Sequence, residues 1–279
     1  MGIIPQELIE KNRYWTKALS LVEGCTPVSE ACDNCWLAGM SHRFQHEWKD
    51  GTPVTENGKF YGQIAIREDR LDIPLKTRKP QVFAVWSDLF HEKVPDTFIE
   101  KAYEVMLDAE KHTYLILTKR PERLYQFYDA HRDAVQFFNG IGKIWHGTTV
   151  ENQEQADKRI PELLKVPGKK FLSVEPMLGE IDIRKYLYPP ECQRCCGGEC
   201  ADCGHERRPI SQVICGGETG HNARPCHPDW VRRLRDQCAE ASVPFFFKKW
   251  GSYKGPGDWN IPPGRLLDGR THDELAWNV

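Results

Sequence analysis

Three cysteines, Cys25, Cys32 and Cys35, sit in the run Gly24-Cys25-Thr26-Pro27-Val28-Ser29-Glu30-Ala31-Cys32-Asp33-Asn34-Cys35-Trp36, in a C-x6-C-x2-C spacing. Gly and Pro open the stretch and a helix-like run closes it, an arrangement that lets a chain wrap a metal centre. Three thiolates with no fourth close by leave a coordination position open. A closed structural zinc site recruits four protein ligands, whereas a [4Fe-4S] cluster on three cysteines keeps one iron free for a small molecule. Radical chemistry is therefore the first reading. A structural zinc completed from elsewhere in the chain and buried free thiols are the others the spacing allows.

A second cluster is more specific for metal. Cys192 and Cys195, then Cys200 and Cys203, form two C-x2-C units around a Gly-Gly turn, the two-knuckle pattern of a tetrahedral zinc site. An auxiliary iron-sulfur cluster is the alternative, with Cys196 and His205 as spare ligands. Arg194, Arg207 and Arg208 beside it are either a basic lobe for a phosphate backbone or solvated surface. Cys215, Cys226 and Cys238 stand alone, and core is the default for Cys215 and Cys238.

The elements that must hold these groups follow a βα rhythm. Apolar runs at 18–22, 82–86, 114–117, 143–148, 170–174, 212–215 and 243–247 read as strands. They alternate with amphipathic helices at 97–112, 121–138, 152–166 and 228–241. Asp96 or Thr97 with Glu100 forms a capping-box pattern, Pro121 suits a first helical turn, and Asp33 is placed to cap a helix over 36–44. Residues 49–80, rich in Gly, Pro and charge, read as an excursion with one extended alternation at 60–66. Uniformly apolar strands suit a parallel sheet covered on both faces, so the fold expected is α/β, a full or partial TIM-like (β/α) barrel, with a doubly wound sheet as the alternative. Residues 1–189 and 210–250 would form the barrel, 190–209 a Cys-rich metal-binding insertion, and 251–279 a C-terminal cap with an Asp-Gly hairpin at 265–271.

Polar residues follow at each strand end: Ser87-Asp88, Thr118-Lys119-Arg120, Glu151, Ser173 and Glu175, Gly216-Gly217-Glu218, and Lys248-Lys249. Ligands of parallel β/α folds bind at that edge. An ordinary strand-to-helix turn explains any one of these groups; six together with a cysteine loop point to one pocket.

Composition sets bounds. The chain has 279 residues, 40% hydrophobic and 11% aromatic, enough for a sizeable core. A net charge of -2 excludes a globally basic nucleic-acid wrapper and allows a local basic groove. No signal-peptide core and no bilayer-length apolar run is present, so a cytoplasmic location is expected. Eleven cysteines in a reducing compartment point to metal rather than disulfides.

The motifs W-T, G-C-T-x-V-S-x-x-C-x-N-C, S-D-L-F-H, L-T-K-R-P-E-R, V-E-N-Q, S-x-E-P-x-L-G, G-G-E-x-G, H-P-D-W-V and F-F-F-K-x-W-G, in this order over most of 15–275, resemble a phage-associated three-cysteine family related to radical S-adenosylmethionine (SAM) enzymes. The resemblance implies a partial barrel of the radical SAM type, a [4Fe-4S] cluster on Cys25, Cys32 and Cys35, and SAM bound to the fourth iron through its amino and carboxylate groups. Some members look like phage DNA hypermodification enzymes in which a radical SAM isomerase rearranges a glycyl-type adduct on thymine. The implied partners are a modified thymidine, in DNA or as a nucleotide, and an external electron donor such as flavodoxin, in a host cytoplasm if the chain is phage-encoded. In this setting Glu151, Glu175 and Lys119 are the expected catalytic anchors. Ser87, Asp88, Thr118, Ser173, Gly216, Gly217, Glu218 and Trp36 are the expected cofactor contacts, and Lys119, Arg120 and Lys248 are expected to take a carboxylate or phosphate.

Two features depart from the common radical SAM pattern. Six residues rather than three separate the first two cysteines, and the Gly-Gly-Glu element follows the sixth strand rather than the second, which moves the expected reading of the SAM amino group to Ser87 and Asp88. The competing classes are a zinc-dependent nucleic-acid-binding module and a non-radical hydrolase built on Asp88, His91 and the strand-end glutamates.

Overall fold

A computed structural model describes residues 2–45, 52–131, 143–188, 209–254 and 264–278. The cysteines at 192–203, with Arg194, Arg207 and Arg208, lie outside the described residues. The main sheet has seven strands: β1 (Lys17–Leu19), β6 (Val82–Val85), β7 (Thr113–Thr118), β8 (Ile144–Thr149), β9 (Lys169–Val174), β10 (Gln212–Cys215) and β11 (Phe245–Phe247). They lie side by side in that order and each neighbouring pair is parallel. A doubly wound sheet reverses its strand order at a switch point. Here every crossover steps the same way, so the sheet is an open half-barrel, consistent with a partial β/α barrel.

The crossovers are α4 (Asp96–Asp108), α5 (Pro121–Ala130), α6 (Gln153–Lys165) and α8 (Pro228–Glu240), with α1 (Gln6–Glu10), α2 (Trp36–Phe44), α3 (Ile73–Lys76) and α7 (Arg184–Leu187) as shorter pieces or cap. Asn152 caps α6 by accepting from Gln155 N at 3.0 Å. The capping box expected at α4 does not form. Asp96 instead pairs with Arg123, and Glu100 with His131 at 2.7 Å, so the two carboxylates tie α4 to the first turn and to the end of α5.

Alternate strand residues face opposite ways. Phe83, Tyr114, Leu172, Val213 and Phe247 join the core under the helices. Val82, Leu115, Trp145, Phe171, Ile214 and Phe246 face the concave side, where Ile4, Ile9 and Tyr14 from one end of the chain and Trp277 from the other plug it. Trp277 Nε1 donates to Tyr14 O at 3.0 Å and its ring meets Trp145 and Phe171 edge-on, 5.0 and 5.5 Å between centroids. The C-terminal stretch is thus part of the barrel filling as well as a cap. Its hairpin forms as expected, with Leu267 bridged to Arg270 and Asp268 and Gly269 both at positive φ.

Gly147 on β8 lies directly beneath the Phe171 ring: a Cβ there would sit 2.4 to 2.6 Å from ring carbons. Gly147→Ala should therefore destabilise the protein by about 1–3 kcal/mol. Denaturant unfolding should show part of that loss recovered in the double variant with Phe171→Leu, since the two sites share one contact.

On the opposite face of β8, His146 is buried and its Nε2 lies 2.7 Å from the Tyr103 hydroxyl. Burial, and secondarily the Lys170 charge, lowers its pKa from 6.5 to about 3. Between those values the unfolded chain holds a proton on this ring that the folded chain does not. Stability from this group is complete above 6.5 and falls, by about 1.4 kcal/mol per pH unit, as pH drops toward 3. His146→Asn should flatten the acid limb of the stability–pH curve relative to the unaltered protein; superimposable limbs would assign the acid loss to other groups.

Candidate functional site

The expected strand over 18–22 divides in two. β1 ends at Leu19, and after a break at Ser20 the chain leaves the barrel as β2 (Val22–Gly24), pairing antiparallel with β5 (Ile64–Ile66). The excursion therefore anchors the cysteine loop. A small hairpin of β3 (Thr55–Glu56) and β4 (Lys59–Phe60) packs beside it, turning through Asn57 and Gly58 at positive φ. Gly24, at φ +87°, is where β2 hands over to Cys25, and a Cβ there would come within 2.2 Å of Gln63 O, so glycine alone fits. Gly62 N then donates to Cys25 O at 3.1 Å. After Cys25 the loop passes through a single 3-10 turn at Glu30–Cys32 and enters α2 with Cys35, not Asp33, at the N-cap position.

The loop is strung across the open barrel mouth and tied at both ends. At the first end Arg120, beyond β7, is 11% exposed and donates to Asp88 Oδ2 at 2.7 Å, Thr26 O at 3.0 Å, Glu92 Oε2 at 2.9 Å and Cys25 Sγ at 3.6 Å. At the other end Glu218, beyond β10, accepts from Asn34 Nδ2 at 3.0 Å and is gripped by Arg224 through its backbone N–H and its guanidinium. Arg224 also donates to Glu30 O at 2.8 Å. From β8, Asn152 Nδ2 donates to Glu30 Oε1 at 2.5 Å.

Under the loop lies a cavity of about 590 Å³, within the range of small-molecule sites. Cys25, Cys32 and Cys35 all line it, each half-buried and free of any disulfide. As a bare thiol Cys25 is pushed up to about 11, first by burial and then by the Asp88 charge, with Arg120 opposing. Among the described residues no three His, Cys, Asp or Glu side chains are grouped to hold a single metal ion.

Of the expected site residues, Ser87, Asp88, Thr118, Lys119, Ser173, Glu175, Gly217, Glu218, Trp36 and Lys248 line the cavity. Glu151 and Gly216 do not. Glu151 is fully buried and its Oε2 accepts from Arg159 at 2.8 Å, a brace between the end of β8 and α6, while its Oε1 has no hydrogen-bond partner among the described residues. Asp88 accepts from Thr118 Oγ1 at 2.6 Å and from Arg120, so it orders the β6 and β7 tips. His91 sits 2.8 Å by Nε2 from Thr26 Oγ1 and accepts from Lys93 N at Nδ1, leaving neither ring nitrogen open. Glu175 pairs with Lys248 at 3.0 Å and accepts from the Tyr14 hydroxyl at 3.3 Å; burial and then the Glu175 charge hold the Tyr14 pKa well above its ordinary value. Ser87 has φ +62°, and its Oγ is buried with no hydrogen-bond partner among the described residues.

Asn34, Arg224, Tyr14, Trp15, Trp86, Arg13 and Lys59 belong to this site without having been singled out in the sequence. Asn34 and Trp15 lie inside the G-C-T-x-V-S-x-x-C-x-N-C and W-T motifs; the others have no local signal, since their partners are distant in the chain.

The open half-barrel, with a cavity at its strand ends and a three-cysteine loop across that cavity, defines the class: a β/α protein of the partial-barrel kind. The chain belongs to the DUF5131 family, described as protein of unknown function, whose model matches residues 11–276. No curated protein and no solved structure matches it. Among the described residues no helix is long and apolar enough to cross a membrane.

Proposed function

We propose that the protein is a radical SAM enzyme in which Cys25, Cys32 and Cys35 hold a [4Fe-4S] cluster and SAM occupies the cavity beneath. What carries the reading is one observation: three free thiols on one loop line the same cavity as the polar strand ends of the barrel. The donor set fits the group, since soft thiolates favour iron-sulfur clusters and Ser87 Oγ is a buried polar atom on the cavity wall with no partner among the described residues. When bound, the reduced cluster and SAM supply a 5′-deoxyadenosyl radical, able to take hydrogen from a carbon that side-chain acids and bases cannot activate.

The chain's own residues position and shield. Arg120 and Glu218 fix the two ends of the cysteine loop, and Phe171 and Leu115 give the cavity a dry floor. Lys119 faces the cavity without a carboxylate partner among the described residues and suits the carboxylate of SAM or of a substrate. The Glu175–Lys248 pair, backed by Tyr14, presents one carboxylate and one ammonium for an amino-acid group.

An isomerisation of a glycyl-type adduct on thymidine, with a flavodoxin-like donor and a zinc ion on Cys192, Cys195, Cys200 and Cys203, follows from the sequence resemblance. Anaerobic reconstitution should give a brown protein that makes 5′-deoxyadenosine from SAM and dithionite. A colourless protein that holds only zinc and makes none would sink the proposal.

A further inference from the structure

Seven cationic side chains and four carboxylates line the cavity, in a chain whose overall charge is -2. All four carboxylates have cationic partners: Asp88 has Arg120, Glu175 has Lys248, and Glu218 and Asp33 share Arg224. Lys11, Arg13, Lys59, Lys119 and Lys249 are left with no carboxylate partner among the described residues. They come from four separated stretches of chain, one the N-terminal segment, one the β3–β4 hairpin and two the barrel strand ends. Burial, and then the neighbouring Lys248 charge, lowers the Lys249 pKa, with the Glu175 charge opposing. Five such cations around one opening exceed what a single phosphate can engage.

Beside them is an aromatic surface. Trp36 is 52% exposed, unusual for the largest apolar side chain. It rests edge-on against Trp86, 5.0 Å between centroids, and Trp86 rests edge-on against Trp15 at 5.2 Å, with the Arg13 guanidinium 4.6 Å over Trp15. Trp36 is thus held from behind while much of its surface stays open, and it directly follows Cys35. Stacking faces interleaved with cations are how proteins hold unpaired bases on a phosphate backbone.

We propose that the cavity mouth is a seat for a single-stranded polynucleotide, with one unpaired base stacked on Trp36 and neighbouring phosphates on Lys11, Arg13, Lys59 and Lys249, while Lys119 keeps the carboxylate. This deepens the proposed function and rests on it for what is done to the base. It also moves Trp36 from a cofactor contact to a substrate contact, and it requires that a base in a duplex leave its stack first.

The test is equilibrium binding of labelled oligothymidylate to anaerobically reconstituted protein over a range of salt, with thymidine 5′-monophosphate and a duplex of equal length as the other arms. Each neutralised phosphate of a single strand contributes about 0.7 to the slope of log K against log salt. The oligonucleotide should give a slope of about -2 or steeper and bind more tightly than both other ligands. Trp36→Ala should weaken it about five-fold or more, Trp36→Phe should restore most of that, and Lys59→Gln should flatten the slope by about 0.7. Equal binding by Trp36→Ala, or a monophosphate that binds as tightly as the oligonucleotide, would overturn the proposal. Should Trp36→Ala lose iron, the Trp36→Phe and Lys59→Gln arms decide. Formation of 5′-deoxyadenosine without nucleic acid is read in parallel. Its persistence in a protein that does not bind the strand removes this proposal alone, and strand binding by a protein that never forms it removes the radical SAM reading alone.

Discussion

Replacing any one of Cys25, Cys32 or Cys35 by Ala is expected to take anaerobically reconstituted protein from about four irons at this site to nearly none, and to abolish 5′-deoxyadenosine formation. The loss should be all-or-none, because in the proposed cluster each thiolate would hold a different iron and two could not retain it against solvent. All three cysteines are half-buried and, among the described residues, only Cys25 takes a side-chain bond from elsewhere in the chain, so the folded structure should survive each change. Circular dichroism and melting temperature should therefore stay close to those of the parent while the visible absorbance disappears. Zinc on Cys192, Cys195, Cys200 and Cys203 would be a separate site on the same reading: Cys192→Ser should release zinc and leave the iron content and the 5′-deoxyadenosine yield in place. Unchanged iron in Cys25→Ala would mean that the loop is not the cluster site, and a product formed without reductant would favour the hydrolase class.

The barrel was legible in the sequence because its strands are covered on both faces, which leaves short apolar runs between amphipathic helices. Val82–Val85, Gln212–Cys215 and the helices from Pro121 and Pro228 fall where the pattern puts them. The pattern failed where a neighbour in space outweighed a neighbour in sequence. Leu19, Leu21 and Val22 are all apolar and buried, and periodicity does not register that the chain changes sheets at Ser20. Asp96 and Glu100 have capping-box spacing, but Arg123 and His131 on the α5 side offer them side-chain partners instead. Glu151 and Glu218 read alike as strand-end carboxylates. Only the fold distinguishes Glu151, buried against Arg159, from Glu218, which meets Asn34 from the far side of the mouth. The terminal plug was equally hidden, since nothing near Trp277 announces that it fills the barrel against Tyr14 and Trp145.

Arg120 carries the second large effect, and its two roles can be separated. Its guanidinium neutralises Asp88, which is 4% exposed, and tethers the first end of the cysteine loop through Thr26 O and Cys25 Sγ. Arg120→Gln strands a buried carboxylate, for which a loss of about 3–5 kcal/mol is expected. Arg120→Lys keeps a charge near Asp88 but lacks the planar fork that reaches Asp88, Glu92 and Thr26 together, so it should lose less stability and still loosen the loop. The double variant Asp88→Asn, Arg120→Gln removes the stranded charge, and its stability should rise above that of Arg120→Gln alone, a coupling readable by denaturant unfolding. Iron retention should not follow. The bond to Thr26 O is absent in both variants, so the cluster should assemble incompletely and bleach faster than in the parent even where stability has recovered. If iron retention instead tracked stability across the three variants, Arg120 would act only by neutralising Asp88, and the tether to the cysteine loop would be incidental.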